Sequence, residues 1–458
     1  MAKQGAVAEA ELTSAMELLR ELIPENELAV YSLEFSPATV YTNLVTLWML
    51  TLQRLGGGTS LEAVVQEIQT QHRSLLPDNK RVREGTLSLG SGAYSEARKR
   101  LPLATAERFA EQVSRSLIER TPAWCEGHRA YVLDGTTITL APTSSLREAF
   151  PPATNQHGET VWPVLMLLVA HELSSGCALI PELGAKYGPD RTSEAQQAAA
   201  IAGRIPVGSL VLADAGFGIF SVAQALCGAG HDILMRLTTA RFKALRRRAE
   251  KIEATAHGVW YRLSWTPSDK ERKTNPGLSA DARLEVFLHE VQLENGERLY
   301  LVTTLEVPSN VAAEYYSHRY DVEHDIRDLK VSLDIENIRA KSAEMMRKEL
   351  LCSIVAYNLL LHLRREAAQL AGVEPRRLSF TGVWTTMKFQ LLQQPPCSWA
   401  EWQERYALAL RLAATQKLPN RPGRSYPRRA HPRRPKSTKF MHQKPTTESS
   451  KTIPEKPK

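Results

Sequence analysis

Residues 130–142 read AYVLDGTTITLAP, and residues 208–220 read GSLVLADAGFGIF. Each begins as an apolar run suited to a buried strand, and each run stops on an aspartate followed by small residues: Asp134 before Gly135, and Asp214 before Ala215 and Gly216. A carboxylate at the end of a buried strand can point into the crevice outside the sheet, where α/β folds place their sites. A single such aspartate is commonly a turn former or a helix cap. Two on one sheet move the reading toward a shared site.

Working outward, WPVLMLLVAHEL (162–173) and CALIPEL (177–183) predict two more strands joined through the turn SSG. TSEAQQAAAIAGRI (192–205) predicts a helix capped by Thr192, and DILMRLT (232–238) a further strand. The sequence of three strands, helix, strand, helix, strand is a mixed α/β sheet pattern. Residues 239–297 interrupt it with strand-like alternation in VWYRLSWT and RLEVFLHEVQL around a Lys- and Asp-rich loop, a β-rich insertion that RLYLVTTL (298–305) closes. The order of domains follows: 1–125 helical, 126–370 catalytic with the insertion, 371–418 helical, and 419–458 a basic, proline-rich tail expected to be disordered.

In the first segment, ATVYTNLVTLWMLTLQ (38–53) is apolar on most sides, Gly56 to Gly58 break it, and Thr59 or Ser60 can cap a second helix. SGAYSEARKRL (91–101) predicts a short helix ending in Arg98, Lys99 and Arg100, which suits either phosphate contact or an ordinary solvated face.

The hydrophobic and charged fractions, 43% and 24% of 458 residues, are those of a globular protein. Five scattered cysteines with no CxxC pair argue against a structural zinc site and a disulfide framework. The acidic start lacks an apolar signal segment, and the longest apolar run, WPVLMLLVA (162–170), is far short of the ~20 residues that span a bilayer, so a soluble, cytoplasmic protein is expected. The net charge of +8 is unevenly placed. Pro419 to Lys458 holds twelve Lys/Arg and two Glu, a net +10, leaving 46 basic and 48 acidic residues, or −2, elsewhere. A neutral body with a basic tail suits a polyanionic partner, although a solvated tail that aids solubility has the same composition.

Residues 314–330, EYYSHRYDVEHDIRDLK, predict a long helix. Tyr316, Arg319, Glu323 and Lys330 fall within about 60° of one another at ~100° per residue, beside an apolar stripe of Tyr315, Val322, Ile326, Leu329 and Leu333. Arg319 and Glu323 alone would pass for a surface i,i+4 pair. Their place next to the core is what that reading explains poorly. Three carboxylates, Asp134, Asp214 and Glu323, suit a hard divalent cation such as Mg²⁺, and two such ions ~3.5–4 Å apart serve phosphoryl transfer. Arg319 and Lys330 would then contact phosphates.

The order of an Asp in V-L-D-G-T, an Asp in V-L-A-D-A-G-F, a β-rich insertion and Y-x2-R-x3-E-x6-K resembles the insertion-sequence transposases that carry a DDE triad in an RNase H-like fold, in the branch with the YREK signature. DLKVSLDIENIRAKSAEMMRKELLCSIVAYNLL, SGAYSEARKRL and the basic tail are similar to that branch as well. The resemblance implies that Asp134, Asp214 and Glu323 hold two Mg²⁺ ions, with Mn²⁺ as a substitute, and that Tyr316, Arg319 and Lys330 grip the transposon-end DNA. It implies an N-terminal domain that binds the transposon's terminal inverted repeats, cleavage by water, and joining of the freed 3′-OH to target DNA. It further implies a homodimer in a synaptic complex in the bacterial nucleoid. In several such enzymes a hairpin intermediate forms with a base flipped onto a Trp of the insertion. Trp260 and Trp265 are the candidates here, and either is equally suited to the β-core. A metal-dependent nuclease without strand transfer would need neither the helical segment nor the insertion. A catalytically inactive DNA-binding repressor or domesticated derivative is the alternative from another class. No GxxxxGK[ST] loop supports a nucleotide-driven enzyme.

Overall fold

The computed structural model describes residues 13–419 except 34, 37, 125–127, 157, 294–295, 330–334 and 336–337, and describes only the backbone of Asn155, Asp321, Val322 and Glu323. Lys330 and the basic tail from residue 420 therefore lie outside the described residues.

The sheet is built from β1 (Ala130–Thr139), β2 (Pro152–Asn155), β3 (Gly158–Glu172), β4 (Glu182–Ala185), β5 (Leu210–Ala213) and β6 (Asp232–Arg236), continued by β7 (Glu250–Thr255), β8 (Gly258–Trp265), β9 (Leu284–Gln292) and β10 (Arg298–Thr303). β1 pairs antiparallel with β3, and β3 with β4, while β5 runs parallel to β1 and β6 parallel to β5. Taking β1, β3, β4, β5 and β6 as five core strands in chain order, the spatial order is 3-2-1-4-5, the RNase H-like topology that the resemblance implies.

Two sequence expectations shift. β3 starts four residues before Trp162 and forms a hairpin with β2, a strand not anticipated because Pro152 opens it. The strand expected over CALIPEL begins only at Glu182, and Ala178 makes a lone bridge to His171 instead. Side chains explain that bridge: Asn358 accepts from the Ala178 N–H (3.0 Å) and donates to its carbonyl (3.0 Å), occupying both backbone groups. The insertion is not a separate sheet. β10 pairs with β6, and β9, β8 and β7 follow in order, so the central sheet simply continues.

Among the helices, α1 (Asn43–Leu55) ends at Gly56, and α2 (Leu61–Thr70) is capped by Ser60, whose hydroxyl accepts from the Ala63 N–H. α3 (Gly92–Arg100) and α4 (Leu103–Glu119) complete the N-terminal helical segment used below. Helices α5 (Glu194–Ile201) and α6 (Phe220–Gly228) cover one sheet face, where Tyr131, Leu133, Val211, Ala213, Ile233 and Met235 join the main core. The other face carries Ala130, Val132, Leu210, Leu212 and Leu234, packed with residues of α7 (Ser309–Ser317) and α8 (Arg319–Arg327). The helix expected over 314–330 is thus divided, with a turn at His318 and a wider π-type turn at Asp328 and Leu329.

α9 (Ala343–Ala371) is the spine. Ser342 caps its start by accepting from the Met345 N–H, and Gly372 ends it in the left-handed region at φ 61°. Twenty of its 29 residues are buried, because it packs on α1 and α4 along one side and on the C-terminal helix Trp399–Ala414 along another. The described residues up to Leu418 form one compact unit.

Candidate active site

β1 and β5 are paired through Val132 and Leu212, and two residues further along each parallel strand stand Asp134 and Asp214. The same step applies one strand over: β5 and β6 pair through Ala213 and Met235, and the next residues are Asp214 and Arg236. Asp134, Asp214 and Arg236 therefore stand in a row where the parallel pairing runs out, although β1 itself does not stop at Asp134 but continues beside β3 to Thr139. Side chains alternate along a strand. Since Val132, Leu212 and Leu234 lie in the cluster beneath α7, the residues two places on lie on that same face.

Both carboxylates are half-buried and shaped by the chain just after them. Asp134 accepts from the Gly135 N–H at 2.9 Å, and Asp214 from the Gly216 N–H at 2.7 Å. The Asp214 turn is braced by Arg241, which donates to the Ala215 carbonyl at 2.6 Å. Gly218 closes it against β6: a Cβ there would stand 2.2 Å from the Arg236 carbonyl oxygen, so no larger residue fits. The run ADAGFG thus places one aspartate and leaves the end of β6 close beside it.

Tyr316 comes from α7 and is 1% exposed. Its ring packs among the sheet residues, and its hydroxyl is buried with no hydrogen-bond partner among the described residues. Burial pushes its phenol up to about 12, against the pull of the nearby Arg319 and Arg236 guanidinium groups, with the Asp214 carboxylate adding to the rise. Tyr316 is therefore a buried floor beside Asp214 rather than an open surface. Arg319 opens α8 and lies over two aromatic rings, 5.8 Å from the Tyr316 centroid and 4.8 Å from that of Tyr320. Glu323 sits one turn further along α8, a helix that packs against β1, the strand that carries Asp134. Tyr316 thus stands among Asp214, Arg236 and Arg319, while residue 323 is placed only by its helix, which meets β1. Lys330 lies outside the described residues.

The two tryptophans of the insertion are packed. Trp260 stacks on His289 with rings 5.8 Å apart and 6° from parallel, and Trp265 meets Phe220 edge to face. They are 8% and 3% exposed, so both belong to the β-core in this structure. Of the basic end of α3, Arg98 is mostly buried against Glu349, while Lys99 and Arg100 are exposed, Lys99 paired with Glu96 and Arg100 donating to the Tyr41 carbonyl. Two residues that the sequence reading passed over stand beside these groups: Arg236, near Tyr316, and the exposed Tyr320, under the Arg319 guanidinium.

Asp134 and Asp214 supply hard oxygen donors on adjacent strands, which fits a divalent cation sharing its shell with water or phosphate. No cluster of three His, Cys, Asp or Glu side chains is found among the described residues, of which the Glu323 carboxylate is not one.

A family model described as a transposase DDE domain matches residues 126–359, just over half of the chain and a span that includes all three acids. The chain belongs to that family. The transposase is 24% identical over 348 residues to transposase InsG for insertion sequence element IS4 of Escherichia coli (strain K12), a match covering 73% of this chain and 75% of the other. The solved piggyBac transposase synaptic complex with hairpin DNA aligns over 91% of this chain and 90% of that one, with 10% identity and a TM-score of 0.37. The transposase is accordingly an enzyme of phosphodiester hydrolysis and strand transfer on DNA, in a family whose acidic triad works with divalent metal. Among its described residues no helix is long and apolar enough to cross a membrane.

Proposed function

We propose that Asp134, Asp214 and Glu323 form the catalytic acid triad and hold Mg²⁺, for which Mn²⁺ can substitute, as a pair of ions. The observation that carries this reading is the register of β1 and β5, which brings the two aspartates side by side on the face covered by the Glu323 helix. When bound, divalent metal activates the attacking oxygen and neutralises charge that develops on the phosphate. The chain's own residues do the rest. Arg319 and Lys330 hold phosphates of the transposon end on either side of the scissile bond, and Tyr316 supports Arg319 from beneath. Water attacks phosphorus and the bond to the 3′ oxygen of the element breaks, freeing a 3′-OH. That hydroxyl then attacks a target phosphodiester, and a target 3′ oxygen leaves.

The division of labour follows the sequence segments. Residues 1–125 bind the terminal inverted repeats, 126–370 carry out the chemistry, 371–418 support it, and the basic tail 419–458 adds sequence-independent attraction to DNA. Two copies act together on paired ends, in the bacterial cytoplasm at the nucleoid.

The test is cleavage of a supercoiled plasmid that carries the gene with its natural flanking DNA, by the wild-type chain and by Glu323→Gln, in Mg²⁺ and in Mn²⁺. Excision at inverted repeats by the wild type alone supports the assignment. Equal cutting by Glu323→Gln removes that residue from the mechanism. Specific binding without any cut in either metal would make the chain a DNA-binding relic.

A further inference from the structure

The helix that carries Glu323 is held from behind by buried charge. Asp325, two positions further along α8, is 1% exposed, and its carboxylate accepts from Arg376 at 2.7 Å. Positions two apart on a helix differ by ~200°, so residues 323 and 325 lie on nearly opposite sides of its axis. Arg376 stands in the short turn Pro375–Arg377 that follows α9, and its other terminal nitrogen donates at 2.8 Å to the carbonyl of Leu173, just past the end of β3. Gly176 lies against the pair: the position of a Cβ there is 3.5 Å from the Asp325 Oδ2 and 3.7 Å from the guanidinium, ordinary contact distances. A second pair repeats the arrangement one turn on, where Asp328 faces Arg364 of α9 at 4.0 Å and Arg364 also donates to the Leu378 carbonyl at 3.1 Å.

A buried ion pair adds little stability over apolar side chains of the same size, because desolvation offsets the attraction. Leucines at 325 and 376 would bury this interface as well. What they would lack is direction. The Arg376 fork makes two aimed bonds, one to the helix and one to the sheet, and so allows one axial and rotational setting of α8. A carboxylate that shares a metal with Asp134 and Asp214 needs that setting, since ligand distances tolerate only about ±0.2 Å and constellations about 0.5 Å.

We propose that Arg376 and Asp325 are positioning residues: a clamp from the region after α9 that sets α8, so that Glu323 meets Asp134 and Asp214 around the metal. This rests on the proposed role of Glu323. The tests are Arg376→Lys, which keeps the charge and loses the fork, and the double variant Asp325→Leu/Arg376→Leu, which keeps a packed interface. Each is measured as the full chain for melting temperature, for Mn²⁺ affinity by the paramagnetic resonance of free Mn²⁺, and for plasmid cleavage against Mn²⁺ concentration. The expected result is a wild-type melting temperature with Mn²⁺ affinity lowered about tenfold or more, the usual effect of losing a residue that orients a ligand, and cleavage restored at high Mn²⁺. Folded variants with wild-type Mn²⁺ affinity and cleavage would overturn the clamp. Unfolding of both would overturn it too, because the pair would then hold the fold and not the site. Glu323→Gln run alongside separates the two ideas: if it also binds Mn²⁺ and cuts normally, the role of Glu323 fails; if it is dead while the clamp variants behave as wild type, the clamp alone fails.

Discussion

Asp214 and Arg236 stand at the ends of adjacent parallel strands, one residue beyond the Ala213–Met235 pair, so a carboxylate and a guanidinium share one end of the central strands. Arg236 is exposed while Asp214 is half-buried. An anion drawn to metal at Asp214 would therefore arrive beside a fixed positive group. Arg236→Ala should leave the melting temperature unchanged, weaken binding of transposon-end DNA, and reduce the slope of log K against log salt by about one, as loss of a single phosphate contact does. Filter binding across a salt series measures it. An unaltered slope would show that Arg236 meets no phosphate.

Tyr316 offers a sign that ordinary core mutations do not. Its hydroxyl is buried without a partner among the described residues, and an unsatisfied buried polar group costs about 1–3 kcal/mol. Tyr316→Phe should therefore be as stable as the wild type or more so in urea, yet cleave less if DNA supplies the missing partner. A destabilised Phe variant would mean that the hydroxyl is already satisfied in the free protein.

Glu349 ties the N-terminal helices to the spine. Its carboxylate meets Arg54 of α1 at 2.6 Å and Arg98 of α3, with every side chain of the triad about nine-tenths buried. Glu349→Gln leaves two buried guanidinium groups short of a charge partner and should cost about 3–5 kcal/mol in urea unfolding. Hydrogen exchange should quicken first in α1 and α3.

Buried histidines set an acid limit. Burial pushes both His289 and His362 down to about 4, the latter helped by Arg120 and Arg365. The unfolded chain takes up these protons near pH 6.5, the folded chain only near 4, so their contribution is full above about 6.5 and is lost as pH falls toward 4. Each is worth about 3 kcal/mol at neutral pH. The urea midpoint should drop over that window, and His289→Gln should make the drop shallower by about one proton.

The buried runs were legible because burial and alternation are written locally: LVLAD announces both the strand and where it stops, whereas YVLD announces a strand that does not end at Asp134 but runs on to Thr139 against β3. Ser60 was legible as a cap for the same reason, whereas the helix expected to be capped by Thr192 is capped one residue later by Ser193, whose hydroxyl accepts from the Gln196 N–H. What could not be read was contact between distant segments. Nothing near DILMR says that its last residue will stand beside Asp214, since that depends on β5 and β6 pairing in parallel. Nothing near Ala178 says that Asn358, 180 residues away, will take its hydrogen bonds and shorten a strand. Periodicity also overreached at 314–330, where a uniform 3.6-residue repeat hid the turn at His318. Alternation in VWYRLSWT puts Trp260 and Trp265, five residues apart, on opposite faces of β8, so it could not foretell that both are packed, one on His289 and the other on Phe220.

The continuation of the sheet through the insertion has a consequence for how two copies can meet. It moves the outer rim to β7, which ends the strand order and whose six residues are all exposed. That rim reads Glu250-Lys251-Ile252-Glu253-Ala254-Thr255. Bare strand edges invite pairing with another chain, and charged side chains along them discourage it. With Glu250, Lys251 and Glu253 on the rim, a second copy gains little by adding its strands to this one. Edge-to-edge growth of the sheet is thereby disfavoured along this rim.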